Sequence, residues 1–243
     1  MRLKPWLLTL VALAAMPAPL TGQTTPPVPF AGEIAEFAVR DQVKMPRDCG
    51  LLFVGSSSIK LWVGLEQDFA GRNPVQRGFG GSQTEHVNLY FDQLVARYRP
   101  AQIVLYEGEN DIDAGKSPAQ VEADLLTFLQ RKTETLGATP VYFISIKPSP
   151  ARWAQFERQS TLNARVRALA AERDDLVFVD VVPDMLDHFR RTPNPSLFIA
   201  DRLHMNEHGY AIWRERLRGA LRTAPTSAAP HCIHLHERPA EGQ

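Results

Sequence analysis

The feature that most constrains this chain is an alternation, repeated five times, between short apolar runs and segments whose apolar residues recur at helical spacing. The runs Leu51-Leu52-Phe53-Val54, Gln102 to Tyr106, Val141 to Ile146 and Leu176 to Val181 are continuous rather than alternating, and a weaker run spans Pro74 to Phe79. Continuous apolar runs of strand length suit strands covered on both faces. Between and after them, Val87/Tyr90/Leu94/Val95, Val121/Leu125/Leu129, Leu162/Val166/Leu169 and Tyr210/Trp213/Leu217/Leu221 each fall on one helical face, and Glu33 to Val43 predicts a further helix ahead of the first strand. Short links and right-handed crossovers then predict a three-layer α/β/α sandwich around a five-stranded parallel sheet. In such a sheet ligands bind beyond the carboxyl ends of the strands, where the strand order reverses. The informative residues should therefore directly follow each apolar run.

The ends of the chain read differently from its body. Arg2 and Lys4 precede an 11-residue apolar run, Trp6 to Met16, followed by Pro17, Ala18 and Pro19. The run is too short for a bilayer span, which needs roughly 20 apolar residues. It reads as a signal peptide over residues 1–22, with a proline-stiffened linker over 23–30, a single domain over 31–222 and a loose tail over 223–243. The expected product is exported, periplasmic or secreted, with no stable membrane anchor.

Lysine plus arginine and aspartate plus glutamate balance at 27 each, which argues against a nucleic-acid binder by bulk charge. The two cysteines, Cys49 and Cys232, exclude a disulfide scaffold. Export would permit a bridge between them, but a sequence does not supply the Cα separation a bridge requires, so paired and free thiols both stay open. His231, Cys232, His234 and His236 crowd the tail, yet their spacing matches no structural zinc pattern, and no metal or cofactor is expected.

Four stretches follow the strands. Gly55-Ser56-Ser57-Ser58-Ile59 follows the first; serines there could simply cap a helix, and Ile59 excludes the G-x-S-x-G elbow. Gly78-Phe79-Gly80-Gly81-Ser82 could be a tight turn or a loop whose N–H groups face an anion, and Gln83 removes the third glycine of a dinucleotide fingerprint. Glu107-Gly108-Glu109-Asn110-Asp111 has ordinary turn formers. Asp201-Arg202-Leu203-His204 places a carboxylate and an imidazole three residues apart, close enough to meet within one turn. Other polar residues carry less: Lys147 and Ser149 could line a cleft, Arg77 precedes the glycine loop, and Asp180 suits a buried hydrogen-bonding role. His86, His188 and His208 have no partner pattern, and Phe79 could be an acyl wall or core.

Taken in order, GSSSI, GFGGS, GEND and DRLH resemble the four motif blocks of the GDSL family of the SGNH hydrolase superfamily, over nearly all of residues 31–222. The phrases FVGSSSIKLW and YEGEND are similar to a bacterial subgroup related in pattern to platelet-activating-factor acetylhydrolase catalytic subunits. The resemblance implies a flavodoxin-like SGNH fold, with Ser57 as nucleophile, His204 as general base and Asp201 orienting it. An oxyanion hole would form from the Ser57 N–H, the Gly81 N–H and the Asn110 side chain. Ser56 departs from the acidic residue usual before the nucleophile, and with three serines in a row Ser58 stands next in line and Ser56 last.

The function so implied is a serine esterase or acylhydrolase that forms an acyl-enzyme, acting on short acyl (acetyl) groups of a small ester or an acylated carbohydrate. The alternatives are a lysophospholipase, lipase or thioesterase for longer chains, and a non-catalytic glycan-binding module. Nothing in the sequence sets the oligomeric state.

Overall fold

The computed structural model describes residues 28–223 together with Ala229, His231 and Cys232. The expected signal peptide, most of the linker and most of the tail, including His234 and His236, lie outside the described residues.

Five parallel strands form one sheet in the order β2-β1-β3-β4-β5: β1 Leu51–Gly55, β2 Val75–Gly78, β3 Gln102–Tyr106, β4 Val141–Ile144 and β5 Leu176–Val179. The chain lays β2 on one side of β1 and then crosses to lay β3 on the other. The strand order therefore reverses at β1. β1 is buried along its whole length, as its unbroken apolar run requires, whereas β2 is an edge strand that includes the half-buried Gln76. The apolar runs through Ile146 and Val181 extend past the ends of β4 and β5 as buried loop residues.

The helices cover both faces. Ala31–Val43 precedes the sheet, and its Asp41 accepts at 2.5 Å from Arg77 and at 2.6 Å from the Tyr98 hydroxyl, all three residues being buried. Arg77 thus fastens the first helix to β2. The stripe of Val87 to Val95 does not form one helix: it breaks at Tyr90 into Thr84–Leu89 and Phe91–Leu94. Tyr90 instead donates its hydroxyl to Pro29 O at 2.6 Å, and Phe91, Leu94 and Val95 remain in the core. Pro118–Leu136 starts at a capping box in which Ser117 and Gln120 satisfy each other's backbone N–H groups. Phe156–Ala171 and Glu207–Thr223 complete the set, with Leu162, Val166, Trp213 and Leu217 fully buried.

Cys49 and Cys232 are joined in a disulfide whose Cα atoms lie 5.7 Å apart. The bridge sits just before β1, at the amino edge of the sheet. There His231 lies against the Arg99 and Pro100 carbonyls at 3.1 and 3.2 Å. His231 and both sulfurs lie together, but the sulfurs are bonded to one another.

Candidate active site

β1 runs directly into the turn that holds the serines. Gly55 has φ +144°, and a Cβ there would stand 2.1 Å from Tyr106 O, so only glycine allows β1 and β3 to approach this closely. The Ser56 N–H donates to Tyr106 O at 3.1 Å, and the single-turn helix Ser57–Lys60 begins at once. Of the three serines, Ser56 and Ser58 are buried and Ser57 is partly exposed.

The other end of the chain reaches the same place. Asp201 Oδ1 accepts from the backbone N–H groups of Leu203 and His204, each at 2.9 Å, which closes a tight turn around Arg202 (φ +61°). A bridge between Phe198 and Met205 and the bond from Ile199 N to His204 O brace that turn from outside. Within it, His204 Nδ1 lies 2.6 Å from Asp201 Oδ2, and His204 Nε2 lies 2.8 Å from Ser57 Oγ. The Tyr210 hydroxyl donates to Ser58 O at 2.9 Å, while Trp62 stacks on Tyr210 at 5.2 Å, so the last helix is packed against the serine turn.

Burial alone would raise the Asp201 carboxyl, but the His204 ring and the two backbone N–H groups outweigh it and lower its pKa to about 2. The group is therefore a carboxylate at neutral pH. The hydrogen on the imidazole must then sit on Nδ1, and the Nε2 lone pair faces the Ser57 hydroxyl. This arrangement can take the proton of a serine as it attacks and stabilise the imidazolium that results.

β2 and β3 supply the opposite wall. Gly81 has φ +78°, and among the described residues neither its N–H nor that of Ser57 has a protein acceptor. Asn110, near the start of the helix Glu109–Asp113, donates one Nδ2 hydrogen to Ser82 O at 2.8 Å and accepts at Oδ1 from Arg152 at 3.0 Å. Both contacts fix the amide the same way round, leaving its second Nδ2 hydrogen for a ligand. The structure thus joins Ser57, His204 and Asp201 in one line of contacts after β1, while Gly81 and Asn110 follow the neighbouring strands β2 and β3 and meet through Ser82.

The expectations for Lys147, Ser149 and Asp180 need correction. Lys147 and Ser149 do not line the cleft: both are fully buried, and Lys147 pairs with Glu109 at 2.5 Å because its ammonium needs a counter-charge there. Asp180 is not buried; it sits a third exposed, pairs with Arg167 and accepts from Val182 N at 3.1 Å. Phe79 is core. His86 closes the start of its own helix by accepting from Gln83 N at 3.0 Å. Arg152 went unnoticed in the sequence, and Ser82 was read only as the end of the glycine block; no spacing signal marks the role of either. The nearest clue to Arg152 was Pro150, which starts the 3₁₀ turn that carries it.

Residues 54–212 match the sequence model of the GDSL-like lipase/acylhydrolase family. No curated protein matches the chain. Among solved structures, a GDSL-like lipase from Bacteroides thetaiotaomicron is similar over 79% of this chain and 98% of its own, at 20% identity and a TM-score of 0.68. A carbohydrate esterase of family 3 from Talaromyces cellulolyticus covers 72% and 96% at 14% identity and a TM-score of 0.58. A mutant acetyl-xylooligosaccharide esterase from Geobacillus covers 71% and 94% at 16% identity and a TM-score of 0.57. The structural likeness is one of fold, and the family match, which runs from the end of β1 into the last helix, spans more than half of the chain. This protein belongs to the GDSL-like lipase/acylhydrolase family and is a hydrolase of ester bonds.

Proposed function

We propose that this chain is an exported serine esterase that removes short acyl groups, acetyl first among them, from a small ester or an acylated carbohydrate. One observation carries the reading: Ser57 Oγ, both nitrogens of His204 and the Asp201 carboxylate form a continuous relay, at 2.8 and 2.6 Å.

In the reaction, Ser57 Oγ attacks the acyl carbon while its proton passes to His204 Nε2. Negative charge gathers on the former carbonyl oxygen, where the N–H groups of Ser57 and Gly81 and the free Asn110 hydrogen receive it. Collapse breaks the bond to the leaving alcohol, which takes the proton from His204. Water then attacks the acyl-enzyme with His204 again as base, and the acid leaves. Asp201 holds the tautomer throughout.

Short-acyl preference is supported by the brevity of the segments that follow β2 and β3, residues 79–83 and 107–108, which offer little apolar wall. Two neighbours of the same fold are named as carbohydrate esterases, one of them for acetylated xylo-oligosaccharides. Export is supported by the disulfide, since cytosolic thiols are kept reduced, and by the leader-like amino terminus.

The test is turnover of nitrophenyl esters from acetyl to long acyl by the mature chain, beside Ser57→Ala, with phosphonate labelling to map the reacting serine. Hydrolysis falling with acyl length, lost in Ser57→Ala and with label on Ser57, is the expected result. A long-chain optimum would overturn the short-acyl assignment, and label on Ser58 would overturn the nucleophile.

A further inference from the structure

Three carboxyl groups alternate along the stretch after β3, and all are buried: Glu107 1%, Glu109 4% and Asp111 0% exposed. Two lysines answer them. Lys147 pairs with Glu109 Oε2 at 2.5 Å, and the Tyr106 hydroxyl donates to the same oxygen at 2.8 Å. Lys116 reaches Asp111 at 3.3 Å, as well as Asp124 and Glu85, and Asp111 also accepts from the Thr84 N–H. Arg152 lies 3.7 Å from Glu109 Oε1. Glu107 has no cation among the described residues. Its Oε1 lies 2.5 Å from Ser82 Oγ, and its Oε2 has no partner. A buried carboxylate with a bare oxygen beside two other carboxylates is costly, whereas a neutral acid is not.

The Ser82 hydroxyl has a single proton and two neighbours, for its Oγ also lies 3.0 Å from Phe79 O. A carbonyl can only accept. If Glu107 carries a proton, it donates to Ser82 Oγ, and Ser82 donates onward to Phe79 O, with every proton placed. That chain closes the loop 79–82, which holds Gly81. Ser82 O in turn accepts from Asn110 Nδ2 at 2.8 Å, so a single residue braces both Gly81 and Asn110.

We propose that Glu107 is a positioning residue that is neutral in the folded enzyme and, by donating to Ser82, sets the geometry of the oxyanion loop. This rests on the roles proposed above for Gly81 and Asn110. Its surroundings agree: burial first, then the charges of Asp111 and Glu109, push the Glu107 carboxyl well above the usual carboxylate range, against the Ser82 hydrogen bond and Lys116. The titratable and charged groups facing this cluster from the packed elements are Glu85 and His86 on the helix after β2, Lys116 beyond the helix Glu109–Asp113, Asp124 on the helix Pro118–Leu136, Lys147 after β4 and Arg152.

The test compares Glu107→Ala with Glu107→Gln, whose amide can donate to Ser82 as a neutral acid does. On an acetyl ester, Glu107→Ala should lower kcat roughly ten- to a hundredfold with KM little changed, less than outright loss of a donor, and Glu107→Gln should restore most of it. In parallel, infrared spectra at pH 7 should show a protonated carboxyl C=O band in the unmutated enzyme that is absent from Glu107→Gln. A missing band, or Glu107→Gln as impaired as Glu107→Ala, would overturn the proposal. So would a Glu107→Ala enzyme with unchanged kcat. The band is read without substrate. A chain that shows it yet hydrolyses no ester would therefore overturn the reaction and the positioning role together, whereas a missing band in an active enzyme overturns this proposal alone.

Discussion

The two ends of the one sheet treat their polar groups in opposite ways. At the amino ends the buried groups described above are paired. Cys49 is bonded to Cys232, and Lys132, fully buried, donates to Gly137 O at 3.0 Å and pairs with Asp175 at 2.5 Å just before β5. At the carboxyl ends the N–H groups of Ser57 and Gly81 have no acceptor among the described residues, and buried oxygens of Glu107 and Ser149 have no hydrogen-bond partner. A buried group left without a partner costs about 1–3 kcal/mol. On the proposed function, the carboxyl end forgoes stability so that its donors can serve a substrate, and the amino end is where stability can be recovered without touching chemistry.

The sharpest way to break this contrast is at Ser57. Ser57→Ala should lower kcat by about 10⁴-fold or more while the thermal midpoint stays put, read from ester turnover and a melting curve on the same sample. A large fall in melting temperature would show that the carboxyl end carries stability after all. At the other end, Cys49→Ser should cost about 4–5 kcal/mol of unfolding free energy, because the bridge closes a loop with a sequence separation of 183. Urea titration measures that loss, and kcat under native conditions should not change. Asn110→Ala should fall between the two, lowering kcat about 10²–10³-fold with little effect on acetyl-ester KM. The smallest effect sharpens the comparison through pH. Glu107 is raised above its unfolded value, so its contribution to stability is full at acid pH and declines as pH rises from about 4.3 toward the folded value. Glu107→Gln should thus gain on the unmutated protein as pH rises, in urea unfolding at pH 4, 6 and 8; a constant difference would refute it.

Much of this was legible in the residues. Interior strands buried on both faces must be apolar throughout, and β1, β3 and β4 were plain for that reason. β2 read weakly because an edge strand tolerates Gln76 and can spend Arg77 on fastening a helix. The blocks around Ser57, Gly81, Asn110 and Asp201–His204 could be read because backbone geometry confines them to a few residues each. What could not be read depends on distance in space. Which of three serines is exposed follows from the pitch of one helical turn, and the cysteine pairing follows from where the last described residues return. Lys147 looked like a cleft residue because position after a strand says nothing of depth. Arg152 was invisible because its partner Asn110 lies 42 positions away.

The bridge at the amino end has one more consequence. Residues 49–232 form a covalent ring, and Ser57, Gly81, Asn110, Asp201 and His204 all lie on it. A protease that cuts this ring once releases nothing: the product keeps its mass, save for one water gained, and runs as one species until a reductant is added. Trimming before Cys49 or after Cys232 leaves the ring whole. A single nick then becomes an injury that the molecule can carry with Ser57, Asp201 and His204 still aboard.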